Sequence, residues 1–376
     1  MYQFLSMIFA FGVATAVLSG VYIGVRTDFS DAAAMGATTS TVFQKVGSFP
    51  IHCQGSEDFQ SCVHGLEARR ANQWVLWLGN SQLHAVNQLQ PEQENAPPML
   101  FRRLRLRNMD MFAFSQGNAN LQEHYLAFES ARKYIGLRIL ILPLVFDDLR
   151  EDGIRDDLLP FADDARTASA LQTTRTGRRI LELRSRAQRG SSLPQTELSR
   201  TPQEVIEAYL EQTLSDWFSL WAVRPEIRGD IFIGLYKLRN TVFGITPSTK
   251  RGLIRGRYAG NMRALDDLLQ TATKSGISVL AYIAPVGRFR GEAPYEESEY
   301  RQFKDEVALL AGKYGVIFVN LENLVPDEFW GRKDGTSVSA KAEMDFMHFT
   351  APGHALLTEA IDRQLLQLSR PEGSAR

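Results

Sequence analysis

Trp74-Val75-Leu76-Trp77-Leu78-Gly79-Asn80-Ser81-Gln82 is an apolar run that stops abruptly at Gly-Asn-Ser. An uncharged run of large apolar residues reads as a strand buried on both faces, the habit of a parallel sheet covered by helices. The Gly-Asn-Ser that ends it reads as a sharp turn from strand to helix. Working outward, similar apolar runs recur at 108–114, 137–145, 277–284 and 316–321, which with 73–78 predict five strands. Between them, helical periodicity covers 121–134, 261–274 and 298–314, and a last helix is expected over 355–368. Strands alternating with amphipathic helices predict an α/β fold, a three-layer parallel sheet.

The alternation is interrupted between the third and fourth strands. Residues 147–257 hold no clear strand and are too long for one crossover. They open on an acidic turn, Asp147-Asp148. Further on, Thr201-Pro202-Gln203-Glu204 has the form of a helix start, with Thr as N-cap, Pro at the first position and Glu at the third. A helical insertion is expected here. Its aromatics, including Trp217 and Trp221, are expected to pack on the core, with a membrane or partner face as the alternative.

Composition narrows the function classes. The chain has 376 residues and a formal net charge of −1. No strongly basic face is implied, so nucleic acid is not an expected partner. Residues 4–25 carry no charge. Such a segment, at about 1.5 Å per residue, is long enough to cross a bilayer core. Residues 1–26 are therefore expected to be a transmembrane anchor, with a cleaved signal peptide as the alternative. Residues 27–48 are small and polar and read as a linker, leaving 49–376 as the globular domain. Cys53 and Cys62 are the only cysteines. Their close spacing in a loop-like stretch suits a disulfide and an oxidising compartment, with two unrelated thiols as the alternative. Their spacing to His52 and His64 matches no common zinc pattern, so no metal and no cofactor is expected.

The chemistry-bearing residues stand at the two ends of this domain. In parallel α/β sheets, ligands bind at the carboxyl ends of the strands, where Ser81 would sit. A helix starting at Gln82 would aim free N–H groups toward Ser81. A serine needs a base. Asp345-Phe346-Met347-His348 offers His348, with Asp345 one helical turn earlier to orient it. Gly353 would let the chain turn into the last helix. His84 reads as structural or at the rim and His354 as a helix-start residue, and for His124 an approach to the cleft is the lesser alternative.

These blocks resemble those of the SGNH/GDSL hydrolase superfamily, which has a Gly-Asp-Ser-type block near the start and an Asp-x-x-His block near the end. The resemblance covers most of residues 70–370, the insertion excepted. It implies a flavodoxin-like sheet order and a triad of Ser81, His348 and Asp345. It also implies oxyanion donors from the Ser81 N–H, the Gly117 N–H and an Asn side chain. The family's Gly-x-Asn-Asp block is missing after the third strand, where the chain reads Pro143-Leu144-Val145-Phe146-Asp147-Asp148. That leaves Asn118, Asn120 or no side chain for the third donor. An anchor with a helical insertion is similar to DltD-type proteins and to anchored members that O-acylate surface polysaccharides.

The resulting expectation is a membrane-anchored serine esterase or acyltransferase, extracytoplasmic or periplasmic. Its partners would be an envelope polysaccharide, a teichoic-acid-like polymer or a lipid-linked acyl substrate, with a membrane-bound O-acyltransferase and an acyl carrier. The alternatives are a non-catalytic accessory protein docked on such an acyltransferase, and a secreted lipase-like esterase.

Overall fold

A computed structural model describes residues 38–189, 249–289, 291–333, 335 and 342–368. Six parallel strands form the central sheet, in the order Ile317–Asn320, Ser278–Ile283, Leu137–Leu144, Trp74–Gly79, Asp110–Ser115, His52–Cys53. The five strands expected from sequence are all present. Apart from the edge strand His52–Cys53, their order is flavodoxin-like, with the Trp74–Gly79 strand beside the point where connections leave toward opposite edges. The edge strand is two residues long and carries no apolar run, which is why its sequence gave no strand signal.

Period-two alternation divides the sheet between two cores. Trp74, Leu76 and Leu78 face one side with Phe112, Phe114, Leu140 and Leu142. Val75 and Trp77 face the other with Met111, Ala113, Ile139 and Ile141. The first side is covered by helices Gly55–Ala68, Leu121–Ala131, Arg255–Lys274 and Glu297–Tyr314. The second is covered by Ala96–Arg105 and Ala351–Leu368. Burial on both faces is why these strands are continuously apolar.

Several expectations need correction. Residues 38–48 are not a plain linker: Thr39–Thr41 pairs antiparallel with Ala85–Asn87, and Lys45–Val46 with Phe49–Pro50. Backbone pairing decides this, and small polar side chains do not reveal it. The last helix begins at Ala351, so Gly353 lies in its first turn. Its missing side chain serves packing, because a Cβ there would come 2.7 Å from the Phe349 ring. The insertion is helical where it is described, with Ala165–Leu171 and Arg175–Gln188. Its expected helix after Thr201 lies outside the described residues, as does the expected anchor. Among the described residues, no helix is long and apolar enough to cross a membrane. Cys53 and Cys62 are joined in a disulfide, with Cα atoms 6.4 Å apart.

Candidate active site

The Trp74–Gly79 strand ends against Leu83. A Cβ on Gly79 would overlap the Leu83 side chain, so glycine permits the tight return of the chain. Asn80 then caps a single helical turn, Ser81–His84, its Oδ1 accepting from the Gln82 N–H at 3.0 Å. The same amide donates through Nδ2 to Asp148 Oδ2 at 2.9 Å. The amide serves both contacts at once, accepting through Oδ1 and donating through Nδ2. The helix expected after Ser81 is only this one turn, because the chain is drawn off at Ala85 into the pairing with Thr39–Thr41. Its dipole is correspondingly short, and individual N–H groups matter more than the helix as a whole.

Asp345 and His348 come from the other end of the chain. They lie on a strand, Glu343–Phe349, that runs into the last helix, and not on a helical turn. Its partner is Trp330–Lys333. Residues three apart on a regular strand face opposite sides. Here the register jumps: Trp330 faces Phe349, while Arg332 faces Met344. The extra residues bulge out, and Asp345 Oδ1 closes the bulge by accepting from the Met347 N–H at 3.0 Å and the His348 N–H at 3.1 Å.

The bulge brings three side chains into line. His348 Nδ1 donates to Asp345 Oδ2 at 2.8 Å, and the Ser81 hydroxyl donates to His348 Nε2 at 2.9 Å. That assignment follows from Asp345 being ionised, since a carboxylate accepts only and fixes the proton on Nδ1. Burial pushes the Asp345 carboxyl up. The charge and hydrogen bond of His348, the Met347 N–H and Lys333 outweigh it and hold the group below the ordinary range. All three residues are buried, with Ser81 6% exposed, so the pair is screened little by solvent.

Gln82 ties the two halves together. Its Nε2 donates to Pro285 O and to Met347 O, each at 2.9 Å. Sequence gave no reason to single out Gln82 beyond its place after Ser81.

Around Ser81, the Gln116 N–H donates to Gly79 O at 3.2 Å, which seats the 116–119 turn beside the Gly79–Ser81 turn. Neither the Ser81 N–H nor the Gly117 N–H has a partner among the described residues. The turn is braced by Gln116, which donates to Asp157 at 2.8 Å and accepts from Arg155 at 3.0 Å. Of the two asparagines expected as a third oxyanion donor, one caps a helix and the other is exposed. Asn120 caps the Leu121–Ala131 helix, accepting from the Gln122 and Glu123 N–H groups, and its Nδ2 donates to Gly153 O at 3.0 Å. The cap engages Oδ1 with the helix and commits one of the two Nδ2 hydrogens to Gly153 O. Asn118 is exposed at positive φ, turned out of the buried turn.

The remaining histidines are buried around this centre. His84 Nδ1 and His52 Nε2 both meet the Ser115 hydroxyl, at 2.9 and 2.6 Å. His354 donates to Ala85 O at 3.1 Å and accepts from the Ala96 N–H at 3.3 Å. His84 and His354 thus have the structural place expected of them. His124 is fully buried, and its Nε2 has no partner among the described residues. Burial keeps all four neutral, lowering His84, His124 and His354 to about 3. Among the described residues, no group of three or more His, Cys, Asp or Glu is placed to hold a metal ion.

No protein-family model matches the chain, and no curated protein does. Solved structures do. An acetylxylan esterase from Geobacillus stearothermophilus has a TM-score of 0.38 at 9% identity, covering 78% of this chain and 94% of that one. An α/β hydrolase enzyme from the metagenome of Lake Arreo, Spain, has a TM-score of 0.36 at 9% identity, covering 80% of this chain and 98% of that one. Likeness at this level transfers neither substrate nor mechanism.

Proposed function

We propose that this chain is a serine acyl esterase or acyltransferase of the SGNH type. The observation that carries the reading is the buried chain Asp345–His348–Ser81, with contacts of 2.8 and 2.9 Å, together with the Ser81 and Gly117 N–H groups, which have no partner among the described residues. Ser81 Oγ attacks the carbonyl carbon of an ester or thioester while His348 Nε2 takes its proton. The carbonyl oxygen becomes an oxyanion held by the Ser81 and Gly117 N–H groups. The intermediate collapses, His348 gives the proton to the departing oxygen or sulfur, and an acyl-serine remains. Water or an acceptor hydroxyl, deprotonated by His348, then takes the acyl group and restores the serine. Asp345 stays ionised throughout and stabilises the imidazolium.

The proposed setting is outside the cytoplasm, on the inner membrane, with an envelope polysaccharide, teichoic-acid-like polymer or lipid-linked acyl donor as substrate. The disulfide and the uncharged segment 4–25 support it. A membrane-bound O-acyltransferase and an acyl carrier are the proposed partners.

The test is labelling with a fluorophosphonate probe and turnover of a short acyl ester. Wild type should label at Ser81 and turn over, and Ser81→Ala should do neither. Absence of labelling in folded wild-type protein would defeat the reading. Activity of a co-purified membrane partner that survives Ser81→Ala would instead favour an accessory role.

A further inference from the structure

Asp345 has a neighbour that the triad reading does not include. Asn87 is fully buried, and its Nδ2 donates to Asp345 Oδ2 at 3.2 Å, on the oxygen that also holds His348 Nδ1. An ionised carboxylate accepts only, so it fixes the amide with nitrogen toward Asp345 and oxygen away. On the far side, Thr38 Oγ1 lies 2.9 Å from Asn87 Oδ1, and 2.8 Å from Arg332 O. Asn87 is also paired through its backbone with Thr39. A Cβ on Gly331 would overlap the Asn87 amide, so the strand that partners the Asp345 strand leaves room for this side chain. One line of contacts thus runs from Thr38 through Asn87, Asp345 and His348 to Ser81.

We infer that Asn87 is a positioning residue for the Asp345–His348 pair, and that the Thr38–Thr41 segment is part of the site through it. This rests on the reading of Ser81 as nucleophile. Asp345 receives the Met347 and His348 N–H groups on one oxygen, and Asn87 with His348 Nδ1 on the other. Asn87 is the one of these donors that comes from outside the bulge. It holds the carboxylate against a pull toward His348 alone. Other charged or titratable groups facing the pair are Lys333, His84 and His354, and none contacts Asp345 Oδ2 by a hydrogen bond among the described residues.

The experiment uses full-length protein carrying Asn87→Asp, Asn87→Ala or Thr38→Val, with Ser81→Ala as control. Asn87→Asp keeps the side-chain shape but sets a second carboxylate beside the first. Like charges in contact retain a proton to higher pH. The acid limb of the pH profile of fluorophosphonate labelling should move up by about one pH unit. Asn87→Ala should lower labelling at its optimum by about tenfold through loss of a hydrogen bond to a charged group. Thr38→Val should give a smaller change in the same direction as Asn87→Ala. A merely structural role would lower the amplitude and leave the midpoint in place, and that result for Asn87→Asp would overturn the inference. An unchanged Thr38→Val would overturn the part assigned to the 38–41 segment. The His348 ring is also titrated by NMR in wild type and Asn87→Asp. If wild type fails to label, the Ser81 reading falls, while an upward move of the ring's midpoint in Asn87→Asp still upholds the role of Asn87, and an unmoved midpoint removes it.

Discussion

Acid should unfold this protein by a route that starts from its buried histidines. In the folded state, burial first, then neighbouring charges, hold His84, His124 and His354 neutral down to about 3. In the unfolded chain, a histidine takes its proton near 6.5. Between those values the unfolded state binds more protons, so stability is lost as pH falls from 6.5 toward 3. At pH 5 each ring then destabilises the fold by about 2 kcal/mol, and three by about 6 kcal/mol, within reach of a whole domain's stability of about 5–15 kcal/mol. His52 adds to this in the same direction. Asp148 works against it, because burial and then Asp147 raise its carboxyl, so protonation on acidification favours the fold. Asp345 is lowered, and its contribution disappears only below the ordinary carboxylate range, outside this window. The contacts agree with the direction: a proton on His354 Nδ1 would face the Ala96 N–H that now donates to it. The assay is urea unfolding followed by tryptophan fluorescence from pH 7.5 to 5, with buried Trp74 and Trp77 as probes. Unfolding free energy should fall by roughly 6 kcal/mol over this range, and His354→Gln should flatten the slope by about a third. A fall smaller than about 2 kcal/mol, less than one ring supplies, would refute the reasoning.

Two further outcomes follow from single contacts. Gln82→Ala removes two hydrogen bonds and strands the Pro285 and Met347 carbonyls, which should destabilise by about 2–5 kcal/mol and lower labelling at Ser81 more than Ser81 burial alone explains; chemical unfolding beside probe labelling checks it, and a loss under about 1 kcal/mol counts against the tie. Replacing both Cys53 and Cys62 with Ala opens a loop of sequence separation 9, which by chain entropy should cost about 3 kcal/mol; a melting midpoint unchanged from wild type, measured without reductant, would contradict it.

Much of the architecture is legible in the sequence because a strand buried on both faces has no polar positions to hide it. Trp74–Gly79, Leu137–Leu144 and Ser278–Ile283 are apolar for that reason, and each appears within a residue or two of its expected bounds. His52–Cys53 is not legible, because two residues carry no periodicity. Nor is Thr39–Thr41, whose small polar residues are held by backbone pairing with Ala85–Asn87.

The site divides in the same way. Gly79-Asn80-Ser81 and Asp345-x-x-His348 can be picked out by residue type and spacing, because a nucleophile, a base and an orienting acid must be those kinds of side chain. Their meeting cannot, since it depends on a bulge whose register is set by pairing with a separate strand, Trp330–Lys333. The spacing of Asp345 and His348 would suit a helical turn equally well, and only the partner strand makes it a bulge. Asn120 shows the converse. Its residue type fits an oxyanion donor, but its Oδ1 caps a helix and its Nδ2 donates to Gly153 O. Gln82, Asn87 and Asp148 carry no motif, and their roles exist only where chain segments far apart in sequence pack together. Residue chemistry is local and so is written in the sequence; which buried donor faces which acceptor is decided by packing, and only the tertiary structure holds that.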